Sequence, residues 1–124
     1  MINMAWEVIV TDEFKTWYLT LDEADTDAAK RAISLLEEKG PLLDHPYSSQ
    51  LKESKAGLRE LRIQSLGHPL RVAYAFDPKR SAILLLGADK KGIPNKRFYP
   101  AFIQRAEQIW RQYLKETKQE KGKK

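Results

Sequence analysis

The sequence predicts an α+β fold: an N-terminal strand and a helical hairpin, then an antiparallel three-stranded meander, then a C-terminal helix. Three observations predict it. Between Leu58 and Lys91 three strand-like segments, Leu58 to Gln64, Leu70 to Phe76 and Ser81 to Ala88, are separated only by short turns. Apolar residues before and after this stretch recur at helical spacing. Cysteine is absent, so a chain of 124 residues must hold itself together by an apolar core and not by disulfides.

Ala5 to Val10 alternates, with Trp6, Val8 and Val10 on one face, and reads as a strand. Thr11 or Asp12 can cap the helix that follows, in which Phe14, Trp17, Tyr18 and Leu21 form one stripe. An acidic break from Asp22 to Asp27 precedes a second helix, with Asp25 or Thr26 as its cap, Ala29, Ala32, Ile33 and Leu36 as its buried stripe, and Gly40 and Pro41 as its stop. Pro41 to Gly57 reads as a long loop anchored by Leu42, Leu43 and Leu51.

In the meander, Leu61 and Ile63 share one face of the first strand, with Glu60, Arg62 and Gln64 on the other. Leu70, Val72, Tyr74 and Phe76 share a face of the second strand, with Arg71, Ala73 and Ala75 opposite. Ile83 to Leu86 is continuously apolar, as expected of a central or doubly covered strand. The hairpin is expected on the apolar face, leaving the face with Arg62 and Arg71 open. After the cationic connection GADKKGIPNKRFYP, Pro100 is expected to open the last helix, whose stripe is Phe102, Ile103, Ala106, Ile109, Trp110, Tyr113 and Leu114. Residues 1–116 are read as a single domain and 117–124 as a basic, flexible tail.

Charge is divided unevenly. Residues 1–57 carry 6 Lys and Arg against 11 Asp and Glu, net −5, whereas residues 58–124 carry 16 against 6, net +10. A basic half built around the sheet favours a polyanionic partner. The absence of cysteine excludes a thiol nucleophile and a thiolate metal site. With only His45 and His68, a metal site would rest on carboxylates, and no suitable cluster is visible, so neither metal nor cofactor is expected. His45 and His68 each adjoin a proline in a turn or loop and read as solvated. No signal peptide or membrane-length apolar run is evident, and a cytoplasmic location is expected.

The segments Gly57-Leu58-Arg59-Glu60-Leu61-Arg62, Arg71-Val72-Ala73-Tyr74, and Leu84-Leu85-Leu86 followed by Asp89-Lys90-Lys91, with a final helix bearing Ala106, resemble the RelE/ParE superfamily. The closer likeness is to the HigB-like, phage-derived toxins of type II toxin–antitoxin systems. The resemblance implies a RelE-like fold and a toxin that blocks translation by cutting mRNA on the ribosome without a metal. It also implies a cognate antitoxin, of helix-turn-helix, HigA-like type, with the ribosome and mRNA as further partners. Arg71 is similar to the strand arginine that holds the phosphate, and Lys90 and Lys91 to the cationic pair after the last strand, one of which could stabilise the transition state. Arg62 could complete that cluster, with Glu60 either a general base or a partner for Arg62 or Arg71. Arg59, Lys96, Arg97 and Tyr99 are the residues expected to contact RNA, Tyr99 resembling the aromatic that stacks on a base. The sequence departs from the best-known RelE toxins in placing Arg59, Glu60 and Arg62 where they carry lysines. Two other readings stay open: a non-enzymatic inhibitor of a protein such as DNA gyrase, as ParE-like members are, and an inactive relative that binds only RNA or an antitoxin. For the charged residues alone, the plain alternative is a solvated ion-pair network contributing about 1 kcal/mol or less per pair.

Overall fold

The apolar run Ile83 to Leu86 can be continuous because both of its faces are covered. In the computed structural model, which describes residues 5–122, it belongs to β5 (Ser81–Asp89), with Ile83, Leu84 and Leu85 fully buried. The sheet has five strands in the order β1-β5-β4-β3-β2. β1 (Glu7–Val10) runs parallel to β5, while β3 (Arg59–Ser65), β4 (His68–Phe76) and β5 form the expected antiparallel meander. A register shift at Ala73/Tyr74 lets Leu84 lie opposite Tyr74 and Leu86 opposite Ala73.

α1 (Asp12–Tyr18) and α2 (Glu23–Lys39) cover one face. Phe14, Ala29 and Leu36 pack there with Leu61, Ile63, Leu70, Val72, Tyr74 and Leu84. The Thr11 side chain caps α1 by accepting from the Phe14 N–H at 3.1 Å. For α2 the cap is Asp22, which accepts from the Asp25 N–H at 2.8 Å, and not Asp25 or Thr26. The acidic break is thus the helix's first turn, where carboxylates complement the exposed amides.

The other face is not open. α3 (Asn95–Gly122) packs across it, seating Phe98, Phe102, Ile103, Ala106 and Ile109 on Leu58, Ala73, Ala75, Ile83 and Leu85. The alanines of β4 are what let a helix approach so closely. α3 begins five residues before Pro100, its first turn started by the Arg97 and Phe98 N–H groups bonding to the Pro94 carbonyl. Phe98 stacks on Phe102 at 4.9 Å, and this packing holds the turn despite the N–H that Pro100 lacks. At its other end α3 stays helical to Gly122, where fraying beyond Glu116 is expected from composition.

The segment 41–57 is also more ordered than a loop. A single 3-10 turn over Gly40–Leu42 leads to β2 (Ser48–Gln50), an antiparallel partner of β3. Ser48 is buried because its hydroxyl shares a 2.5 Å hydrogen bond with Tyr74, while Arg59 Nε donates to it at 3.2 Å.

Candidate functional site

The short strand β2 brings Ser49 beside Glu60, and α3 lowers Tyr99 onto the same carboxylate. Glu60 Oε2 accepts from the Ser49 hydroxyl at 3.0 Å and from Arg62 Nη1 at 3.2 Å. The Tyr99 hydroxyl donates to Glu60 Oε1 at 2.9 Å, and Arg71 Nε lies 3.6 Å from the same oxygen. Arg71 also donates to the Tyr99 hydroxyl at 3.4 Å and to its neighbour, the Leu70 carbonyl, at 3.0 Å. Two strand arginines, a carboxylate, a phenol and the Ser49 hydroxyl therefore form one cluster, drawn from β2, β3, β4 and α3.

Exposure separates their roles. The Glu60 and Arg71 side chains are 4% and 10% exposed, whereas that of Arg62 is 34% exposed. Arg71 is thus a buried cation holding Glu60 and Tyr99 in place, and Arg62 is the guanidinium that solvent reaches. Burial pushes the Tyr99 hydroxyl above its ordinary pKa; the hydrogen bond from Arg71 opposes this, while the charge of Glu60 reinforces it. Tyr99 consequently keeps its proton and serves the cluster as a hydrogen-bond donor to Glu60.

Above the cluster lies a cleft of about 480 Å³, lined by Glu60, Arg62 and Tyr99 with His45, Ser49 and Lys52 among others. A second hollow of about 540 Å³ adjoins it, and the two share Glu53, Asn95, Tyr99 and Ile103. Of the residues expected from sequence, Glu60, Arg62, Arg71 and Tyr99 meet, and the exposed Lys96 lines the second hollow. Arg97 is exposed on the first turn of α3 but does not line either hollow.

Arg59 is placed elsewhere. Strand alternation turns it to the opposite face, where it reaches Ser48 and, at 3.9 Å, Asp44. Lys90 and Lys91 follow β5 and line neither hollow. The Lys90 ammonium is half-buried and donates to the Ile93 carbonyl at 3.4 Å, while Lys91 is exposed. Asp89 does not orient either ammonium. One carboxylate oxygen accepts from the Lys91 backbone N–H at 2.9 Å, and the other meets His68 Nδ1 at 2.6 Å. Partial burial would raise the Asp89 pKa, but the hydrogen bonds from His68 and Lys91 outweigh it and hold the carboxyl below its ordinary value. His68 is therefore a cross-strand partner on β4 and not a solvated turn residue. Two cleft residues, His45 and Lys52, were hidden in sequence because nothing in 41–57 announces β2, the strand that folds this segment against β3.

An α+β sheet covered by a hairpin on one face and a terminal helix on the other is a RelE-like fold. Residues 16–111 match the family model described as phage-derived protein Gp49-like (DUF891), and the chain belongs to that family. It is 38% identical over 102 residues to a Mycobacterium tuberculosis protein named "Putative toxin HigB3", an alignment covering 82% of this chain and 87% of that one. It is 30% identical over 123 residues to a second protein of the same organism, named "Putative toxin HigB2", covering 98% of this chain and 60% of the relative. Among the described residues no helix is long and apolar enough to cross a membrane, and no group of three or more His, Asp or Glu side chains is placed to hold a metal ion.

Proposed function

We propose that this protein is the toxin of a type II toxin–antitoxin system, acting in the cytoplasm as a ribosome-dependent mRNA endonuclease and silenced by a helix-turn-helix antitoxin. The observation that carries the reading is the placement of Arg62, a solvent-reachable guanidinium fixed by a buried carboxylate at the wall of a cleft that also presents His45 and Tyr99. RNA supplies its own nucleophile. Attack of the 2′-hydroxyl forms a new O–P bond and breaks the P–O5′ bond, leaving a cyclic phosphate and a 5′-hydroxyl. The protein must neutralise the phosphorane oxygens, remove the 2′ proton and deliver one to O5′.

Arg62 suits the first task, since its planar fork can engage two oxygens. Arg71 acts through Glu60 and Tyr99 as a positioning residue. Glu60 is also a positioning residue and not the general base. Its two oxygens already hold Ser49, Arg62 and Tyr99; the Arg62 contact is weakened by solvent screening, but the bonds from Ser49 and Tyr99 to the buried carboxylate are worth about 1.5–3 kcal/mol each, so releasing them to reach a 2′-hydroxyl costs more than a weak base returns. His45 lines the cleft wall, and its imidazole is the side chain there that can both accept and donate a proton through its ring nitrogens. Lys90, Lys91 and Arg97 extend the basic surface along flanking phosphates, each adding salt-sensitive affinity.

The test is purified protein on ribosomes carrying a defined mRNA. Cleavage confined to the ribosome-bound message, with 5′-hydroxyl ends, supports the reading, and Arg62→Ala should lower the rate by about 100-fold or more, as loss of a transition-state donor does. Equal rates for Arg62→Ala and wild type would remove this residue from the chemistry, and an intact message would remove the reaction.

A further inference from the structure

We propose that the second hollow, beyond Tyr99, is a nucleobase site that selects cytosine or adenine, whose amine stands where uracil has a carbonyl, over uracil; the proposal deepens the nuclease reading and rests on it for its biological meaning. The two adjoining hollows differ in charge in a way that assigns each a different part of a nucleotide. The cleft over Arg62 also contains Lys52; its buried carboxylate, Glu60, is matched by Arg62 and Arg71, and Glu53, which stands at the boundary and lines both hollows, is its other acid, so cations and acids balance there. That cleft accepts a phosphate. The second hollow presents Glu53 and Glu107 against Lys96, a balance that repels a phosphate.

Its other residues suit a base. Tyr99, Pro100 and Ile103 form an apolar wall, while Asn95 on the first turn of α3 and Gln104 on its third supply amides, each offering a donor and an acceptor. A hollow of about 540 Å³ falls within the roughly 300–1,000 Å³ usual for small-ligand sites. Single-stranded RNA is read in this way, by unstacked bases bonded along their edges. The acidic residues set the preference. Glu107 Oε2 is engaged by the Ser54 hydroxyl at 3.0 Å and by the Lys55 and Ala56 N–H groups at 2.9 and 3.2 Å, so it anchors the turn beside Glu53. Glu53, exposed on that turn, can accept from the N4 amine of cytosine or the N6 amine of adenine. The corresponding carbonyl of uracil would face a carboxylate.

Two measurements test the proposal together. In the first, ¹H–¹⁵N spectra of the purified protein are recorded during titration with cytidine or uridine monophosphate, which differ along one base edge alone: an amine beside a bare N3 in cytosine, a carbonyl beside an N3–H in uracil. CMP should shift the Asn95 and Gln104 side-chain amide signals at lower concentration than UMP, and Glu53→Gln should narrow the difference. Equal response to both nucleotides, or no response at these amides, overturns the proposal whether or not the protein cuts mRNA. In the second, bases flanking mapped cuts are counted. Uracil should be disfavoured at one fixed position by about fivefold or more, the ratio expected of one base-edge contact, and Glu53→Gln should flatten that ratio. An unchanged ratio overturns the proposal, whereas CMP selectivity in a protein that cuts nothing upholds the base site and removes the nuclease reading.

Discussion

Replacing Glu60 by Ala should be among the most destabilising single changes in the sheet. The Glu60 and Arg71 side chains are 4% and 10% exposed and lie 3.6 Å apart, so truncation strands a guanidinium beneath α3 and deprives the Tyr99 hydroxyl of its acceptor. Breaking such a buried pair by removing one partner costs about 3–5 kcal/mol. The Arg62 contact adds little, because that side chain is 34% exposed and its attraction to Glu60 is screened. Against a total stability of about 5–15 kcal/mol, the loss is a large fraction and should lower Tm by about 10–20 °C. The assay is urea and thermal unfolding followed by circular dichroism for wild type, Glu60→Ala, Arg71→Met and the double variant. Glu60→Ala strands the Arg71 guanidinium, Arg71→Met leaves Glu60 with Arg62 as its only ion-pair partner, and the double variant removes both buried charges, so the double should lose less than the sum of the singles. A cost below about 1 kcal/mol for Glu60→Ala, or strict additivity, would refute the description of the cluster as a buried, mutually dependent unit.

Other expectations are narrower. Gly87 lies on β5 under the Trp17 indole, where an added Cβ would stand 2.1 Å from a ring carbon; Gly87→Ala should therefore cost about 1–3 kcal/mol by overpacking, read as a lower urea midpoint. Tyr74→Phe removes the buried hydroxyl that meets Ser48, and should cost about 1 kcal/mol in the same measurement while leaving mRNA cleavage unchanged. For pH, Asp89 is the informative group. Its folded pKa is depressed, so its contribution is fully present above the ordinary value of 3.8 and is lost as pH falls through the lower, folded value. Tm of wild type should exceed that of Asp89→Asn at neutral pH, with the gap closing on acidification; a gap that widens toward low pH would contradict the assignment.

Much of this architecture could be read from side-chain periodicity, and the parts that could not were decided by tertiary contacts. The alternation of β3 and β4 placed Leu61, Ile63, Leu70, Val72 and Tyr74 on the hairpin side, because a period of two leaves one choice of face. The same pattern identified Glu60, Arg62 and Arg71 as neighbours. Their environment was not legible, since small Ala73 and Ala75 look like an exposed surface until α3 is seen to need them small. Pro100 read as a helix start because its missing N–H is tolerated there; the stacking of Phe98 on Phe102 overrides that local preference. β2 gave no signal. Ser48, Ser49 and Gln50 are too few and too polar, and only the hydroxyls met by Tyr74 and Glu60 make them a strand in context. That omission hid His45 and Lys52 from the cleft. Arg59 was grouped with the RNA-contacting cations by family likeness, although the alternation that put Glu60 and Arg62 together already assigned Arg59 to the opposite face.

The measurement that bears most directly on the function is mapping of new mRNA 5′ ends immediately after induced expression in a bacterium, with DNA supercoiling assayed in parallel. The account predicts new 5′-hydroxyl ends within translated regions, absent for Arg62→Ala, and unchanged supercoiling. Intact mRNA together with altered supercoiling would contradict it and assign the protein to the gyrase-directed class.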